Sequence, residues 1–166
     1  MRFKIIYTLF VLLSGNYALA QVGAEASDPS PVRTFTRQQY DSYLKGEASD
    51  DMSAIGEINH YPMPDKVLKY KKELNLTPVQ IKKITEIESY MHRRRLQIGG
   101  SIISNEKTLD SLFKYKKINE GSLIFYTNRY GNFQGELKNA ILFACYSTQK
   151  LLSAQQIAKL ETLLKG

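Results

Sequence analysis

Two long stretches of the chain place apolar residues at steps of three and four, the period of an amphipathic α-helix. The first begins at Pro78 and continues to about Lys114 without an internal proline, and the second runs from Glu120 to about Lys150. The second keeps a strict heptad spacing over Leu123, Tyr126, Tyr130, Phe133, Leu137, Ala140, Ala144 and Leu151. We predict two long antiparallel helices, joined by a turn at residues 115–119, that pair along this stripe.

Two similar segments mark the starts of helices. Their motif residues are Leu76, Thr77 and Gln80 in the first segment, and Leu152, Ser153 and Gln156 in the second. In each segment the hydroxyl side chain occupies the N-cap, the glutamine three residues later closes a capping box, and the preceding leucine can pack on the first turn. Pro78 adds a residue that is favourable at the first helical position. The second segment predicts a last helix over residues 154–164.

Residues 21–63 are acidic and rich in Pro, Ser and Ala, a composition typical of a largely disordered arm. Within this arm, Thr36 and Gln39 form a third capping box that predicts a short helix over residues 37–45. Strand and hairpin patterns are absent. The sequence therefore predicts an all-α fold, in which a long helical hairpin with short flanking helices and no sheet occupies a domain over residues 64–166.

Two features of the hairpin leave its packing open. Gly99 and Gly100 lie in the middle of the first long helix, and each costs about 1 kcal/mol relative to Ala, so we expect this helix to soften or kink there. A second set of apolar residues lies off the paired stripes: Ile87, Leu96, Ile103, Phe125 and Ile141. Either the short helices or a second subunit must cover that face.

The first twenty residues have the form of an export signal. Arg2 and Lys4 precede the apolar run 5–13, and the sequence Ala-Leu-Ala ends at Ala20. We predict a signal peptide over residues 1–20, cleaved after Ala20, and a periplasmic protein. Gln21, not Cys, would be the first mature residue, so no lipid anchor is expected. An uncleaved signal anchor is the alternative.

The positive charge of the chain is concentrated in one region. The whole sequence of 166 residues has a net charge of +7, but residues 66–117 carry 13 Lys and Arg against five acids, whereas residues 21–65 have a net charge of −5. The acidic arm could fold back on the basic body or simply solubilise it. For an exported chain with no Trp, envelope lipids or other exported proteins are better partners than nucleic acid.

The densest positive cluster is the candidate binding site. Arg93, Arg94 and Arg95 lie halfway along the first long helix, flanked by Met91 and Ile98. These cations would attract acidic segments of unfolded chains, and the two apolar side chains would add adaptable contacts. The alternative is a solvated face of an ordinary helix.

The sequence offers little for catalysis or metal binding. It contains no recognisable nucleophile, phosphate-binding or zinc-binding motif, so we predict no enzyme activity and no cofactor. His60 and His92 are isolated, and His60, Met63 and Asp65 gather three ligand types on a Pro-rich linker, where geometry is poorly constrained; we predict no metal site. Cys145 is expected to be a small buried residue, with an intersubunit disulfide as the alternative.

The two cap motifs bracket the helical hairpin behind an export signal, and in this arrangement they resemble the paired L-T-x-x-Q motifs of the Spy/CpxP family of bacterial periplasmic proteins. Ser153 stands where the second motif usually has Thr. The resemblance implies an antiparallel dimer of thin, bent helical subunits that form a basic cradle. Family members act without ATP as chaperones or as accessory regulators of envelope-stress signalling, and a related branch senses metals.

Together, the leader, the motifs and the basic helix favour a periplasmic, ATP-independent chaperone or envelope-stress accessory protein. Its expected partners are unfolded or misfolded exported proteins, a second copy in a homodimer and, as a further candidate, a membrane sensor protein. In this hypothesis the cap motifs are structural and do not contact a client. The alternatives are a periplasmic metal-responsive sensor and a structural protein that binds the membrane surface.

Overall fold

Six helices form the regular structure of residues 29–47 and 51–165, the part of the chain described by the computed structural model. They are α1 (Arg37–Lys45), α2 (Asp51–Ile58), α3 (Pro64–Lys69), α4 (Pro78–Lys114), α5 (Glu120–Gln149) and α6 (Ala154–Lys165). No strand occurs in these two ranges. The predicted all-α fold is confirmed, whereas the predicted export signal lies outside the described residues.

The long helices α4 and α5 pack along each other. With 37 residues, α4 is about 55 Å long at the usual rise per residue. The main core lies between the two helices and draws on Met91, Ile98, Ile102, Leu137, Ile141, Ala144 and Cys145. Asn119 begins α5 with a capping box closed by Ser122, a start signal that the sequence analysis did not identify.

Gly99 does not interrupt α4, which continues unbroken to Lys114. A Cβ atom added to Gly99 would lie 2.3 Å from the backbone oxygen of Tyr43. The backbone of α1 therefore packs directly on the backbone of α4 at this point. Gly100 faces open space. The glycine pair therefore does not break α4, and Gly99 instead permits a close helix crossing.

The expectation of a largely disordered arm is also wrong for residues 29–47 and 51–63. Helix α1 occurs over the predicted residues 37–45, but it packs on α4, and the unpredicted α2 packs on α5. Val32 is buried, and the Tyr43 hydroxyl accepts a hydrogen bond of 2.9 Å from Gln134 of α5. A few apolar side chains pack this segment against α4 and α5 although its average composition is polar. The helical domain therefore does not begin at residue 64 as a separately packed unit.

The short helices cover most of the second face of the hairpin. Ile103 and Ile141 are buried and Ile87 packs against the main core, which matches the first of the two alternatives from the sequence. Leu96 lies within contact distance of Gly46, the residue that ends α1 with a positive φ of 62°. Leu96 nevertheless stays 38% exposed, and Phe125 stays 55% exposed.

A second, smaller core closes the end of the hairpin where α4 begins. Val67 of α3, Ile84 of α4 and Leu160 of α6 are buried there with Leu74 and Leu76. The opposite end of the hairpin, around residues 115–119, has no such cover among the described residues. None of the helices in the described ranges combines the length and the apolar composition that crossing a membrane requires.

Candidate functional site

The two cap motifs form the predicted capping boxes and also contact each other. Thr77 and Gln80 exchange both hydrogen bonds of the first box, and Ser153 and Gln156 do the same in the second. The Gln80 Nε2 group donates to Gln156 Oε1 at 3.0 Å, and Gln156 Nε2 lies 3.4 Å from Gln80 Oε1. The motifs thus join the start of α4 to the start of α6, and both predicted capping boxes are formed.

The arginine cluster does not form one surface. Arg93 is exposed, whereas Arg94 donates to Gln97 on its own helix and pairs with Glu136 of α5 at 3.2 Å. Burial lowers the pKa of Arg95, and nearby acidic side chains raise it by a smaller amount. Successive helical residues differ by about 100° in direction, so the three side chains meet three different environments.

Met91 and Ile98 are core residues, and their prediction as client contacts is wrong for this chain. Each is only 2% exposed and packs in the main core between α4 and α5. Their i, i+7 spacing places both on the face of α4 that meets α5. An apolar contact with a partner must therefore come from other residues.

An open apolar groove lies between α4 and α5. It encloses about 640 Å³. Tyr90 of α4 and Phe143 and Tyr146 of α5 line it and are between 44% and 58% exposed. Ala140 and Ala144 form part of its wall. Because these alanines are small, they leave space between the helices that a larger side chain would fill.

Two lysines stand at the groove. Lys83 of α4 and Lys150, which follows α5, both line it, together with one acidic residue, Glu86. The Lys150 ammonium lies 4.3 Å from the centre of the Tyr146 ring, a cation–π contact. The groove therefore offers aromatic faces with positive charge at their margin, and it can hold an apolar side chain beside an acidic one.

Sequence reasoning missed this groove because its aromatic residues lie beside the heptad stripe. Phe143 and Tyr146 flank Ala144, which does belong to the stripe. The available signal was the pair of alanines at stripe positions 140 and 144, since small residues at a helix interface leave unfilled volume when the backbones do not approach more closely. Heptad spacing alone does not show which way such a gap opens.

The three potential metal ligands on or next to the linker between α2 and α3 do not point to a common site. His60 Nδ1 interacts with Glu161 of α6, Met63 is buried in the main core, and Asp65 is exposed in the first turn of α3. Within residues 29–47 and 51–165, no three His, Cys, Asp or Glu side chains are grouped closely enough to hold a metal ion. The His60–Glu161 contact instead pins the α2–α3 linker to α6.

Cys145 is a buried residue, as the sequence predicts. It is 1% exposed, and its Sγ lies 3.4 Å from Met63 Sδ. Burial raises the pKa of the Cys145 thiol to about 11, and the carboxylates of Glu57 and Asp65 act in the same direction. A disulfide to a second chain would require the core to open, so the packing argues against that alternative.

Compared with protein-family models, with curated proteins and with solved structures, the chain matches none of them.

Proposed function

We propose that this protein is an ATP-independent chaperone or stress accessory protein of the periplasm, which binds unfolded or misfolded exported proteins in the α4–α5 groove. The observation that carries the proposal is the exposed aromatic set of Tyr90, Phe143 and Tyr146 between two lysines. Exposed apolar surface of this kind, bordered by polar residues, often marks a site of protein interaction.

The groove has the features that transient binding of many clients requires. It is open and shallow, so a client segment can enter and leave without a conformational change. The Lys83 and Lys150 side chains, on a body with an excess of positive charge, would attract acidic clients from a distance. Aromatic rings then contribute apolar contact that does not depend on a particular client sequence.

The compartment and the partners rest on sequence features. The export signal and the paired L-T-x-x-Q motifs support a periplasmic location, a homodimer and a membrane sensor protein as a further partner. Fractionation of cells that express the full chain tests the location, and light scattering of the purified protein tests the dimer. Recovery in the cytoplasm would remove exported clients from the proposal.

The decisive experiment measures aggregation. The full chain is expressed in a Gram-negative host, purified, and mixed at equimolar ratio and low salt with an acidic client that aggregates on dilution from denaturant. We expect the wild-type protein to reduce light scattering and Phe143→Ser combined with Tyr146→Ser to lose most of this effect. Both residues are about half exposed, so the variant should stay folded.

Phe125→Ser is the matched control. Phe125 is a similarly exposed phenylalanine of α5 but lies far from the groove, near the hairpin turn. The Phe125→Ser protein should suppress aggregation as the wild-type protein does. Equal loss in the groove variant and in the control, or no suppression by the wild-type protein, would disprove the proposed function.

A further inference from the structure

The free end of the hairpin has a second apolar surface, which we name the hairpin tip. It consists of Phe113, Tyr115, Leu123, Ile124 and Phe125, which are between 41% and 61% exposed. These residues belong to the last turn of α4, the connecting turn, and the first two turns of α5. At 1.5 Å per helical residue, all five lie within about 10 Å of the turn along the hairpin axis.

The hairpin tip projects beyond the cores of the protein. The last buried residue of α4 is Asn105, and the first buried residue of α5 is Leu137. Asn105 donates a hydrogen bond of 3.1 Å to the backbone oxygen of Tyr126, which links the two helices at the base of the tip. Just beyond this point α4 still meets the N-terminal segment, because Lys107 lies over the Tyr40 ring of α1 and Asp110 pairs with Arg33. No hydrogen bond, ion pair or ring contact joins the five tip residues to a described segment outside α4, α5 and their connecting turn, so the tip itself is geometrically free to approach a flat surface.

The charges of the tip are mainly positive. Lys114, Lys116 and Lys117 lie within four residues of one another, and all three are exposed. The nearest acidic residue before them, Asp110, is paired with Arg33 at 2.6 Å. Glu120 is the single acid of the following turn and occupies the first position of α5, where the helix dipole favours it.

We propose that the hairpin tip docks on an anionic membrane surface. Aromatic and aliphatic side chains at the end of a rigid rod can enter the headgroup region, and lysines beside them attract anionic lipids. The Lys114 ammonium already lies 5.4 Å from the centre of the Tyr115 ring, which keeps charge and aromatic surface together. No helix of the described residues needs to cross the bilayer for this mode of binding.

The combination of features favours lipid over another protein. A protein partner would be expected to supply acidic side chains in a fixed arrangement, whereas the three lysines are solvated and sit on a turn around exposed apolar residues. A diffuse anionic surface satisfies such lysines without a fixed geometry. The proposal does not depend on the α4–α5 groove, because the groove residue Tyr90 lies about 37 Å along α4 from the tip residue Tyr115.

Co-sedimentation with vesicles tests the proposal. The full chain is mixed at low salt with vesicles of phosphatidylcholine containing about 30% phosphatidylglycerol, or with pure phosphatidylcholine. We expect binding to the anionic vesicles that weakens as salt is added, and little binding to the neutral ones. The combined variant Lys114→Gln, Lys116→Gln, Lys117→Gln should reduce the partition coefficient by at least about tenfold.

Two further variants make the result specific. Lys71→Gln, Lys72→Gln, Lys159→Gln removes the same charge from exposed residues at the other end of the molecule and should bind nearly as the wild type does. Phe113→Ser with Phe125→Ser should weaken vesicle binding while aggregation suppression is kept, which separates this proposal from the chaperone proposal. Equal loss in both lysine variants, absence of wild-type binding, or tip-dependent self-association without vesicle binding would overturn it.

Discussion

The side chains of Gln80 and Gln156 hydrogen-bond each other although the residues are 76 positions apart in the chain. Each amide oxygen also closes its own capping box, and each amide nitrogen donates to a backbone oxygen of the other region: Gln80 to Leu151 at 2.7 Å and Gln156 to Leu74 at 3.2 Å. The two helix starts are thereby joined into one hydrogen-bonded unit. This explains physically why one helix-start motif would be used twice.

Replacement of either glutamine should destabilise the protein more than loss of an ordinary cap. We expect Gln80→Ala and Gln156→Ala each to lower the free energy of unfolding by about 1–3 kcal/mol, because each leaves partly buried polar groups unpaired. The double variant should cost less than the sum of the two. Urea denaturation followed by circular dichroism measures all three values.

Gln39→Ala is the control for this prediction. Gln39 closes the capping box of α1, but its side-chain oxygen bonds only the nearby Thr36 backbone in the described structure. Its loss should cost about 1 kcal/mol or less. If the double variant loses as much unfolding free energy as the two single variants together, the two motifs act independently and their mutual hydrogen bonds do not couple them.

The adjacent glycines of α4 should respond oppositely to alanine. Gly99→Ala must move α1, because the new Cβ would meet the Tyr43 backbone oxygen, and overpacking of this kind costs about 1–3 kcal/mol or more. Gly100→Ala meets open space and should stabilise the helix by up to about 1 kcal/mol. Thermal and urea unfolding of the two variants provide the comparison, and destabilisation of both by the same amount would contradict it.

Met91 and Ile98 should behave as core residues. Met91→Ala and Ile98→Ala are each expected to lower the free energy of unfolding by about 2–5 kcal/mol, since both side chains fill the space between α4 and α5. Arg93→Ala, on the exposed side, should change it by less than about 0.5 kcal/mol. Unchanged stability of the two core variants, together with lost client protection, would restore them as contact residues.

The buried thiol should make stability depend on alkaline pH. The pKa of Cys145 is raised from 9.0 to about 11 in the folded protein, so the unfolded chain releases this proton first. The contribution of the protonated Cys145 thiol to the free energy of unfolding is fully present below pH 9 and is lost as the pH rises towards 11. The difference in unfolding free energy between wild type and Cys145→Ala, measured at several pH values, isolates this effect from other groups.

Local signals predicted the helical elements well. The capping boxes at Thr36, Thr77 and Ser153 correspond to the starts of α1, α4 and α6, and they do so because a cap satisfies backbone N–H groups within four residues. Helix α2 was missed because eight residues are too few to show a helical period and Gly56 lowers their propensity. Composition failed for the arm because a few docking side chains outweigh its polar average.

The candidate site was predictable only in part. Arg93, Arg94 and Arg95 form a cluster in the sequence, but neighbouring helical positions point in different directions and the cluster is divided. Leu123 belongs to the heptad stripe and yet is 41% exposed, because no third element reaches the hairpin tip. The heptad stripe shows which residues can pack in a helix interface, but it does not show which of them are buried in the folded protein.

By itself, the sequence determined the starts of α1, α4 and α6, the long α4–α5 pair and the region of positive charge, because periodicity, caps and net charge depend on residues a few positions apart. Tertiary structure alone decided that Gln80 meets Gln156, that Gly99 admits α1, and that the open apolar surface lies at Phe143 and Phe125 while Met91 is buried. Exposure of this kind depends on which distant segments fill the space around a side chain, and no local pattern contains that information.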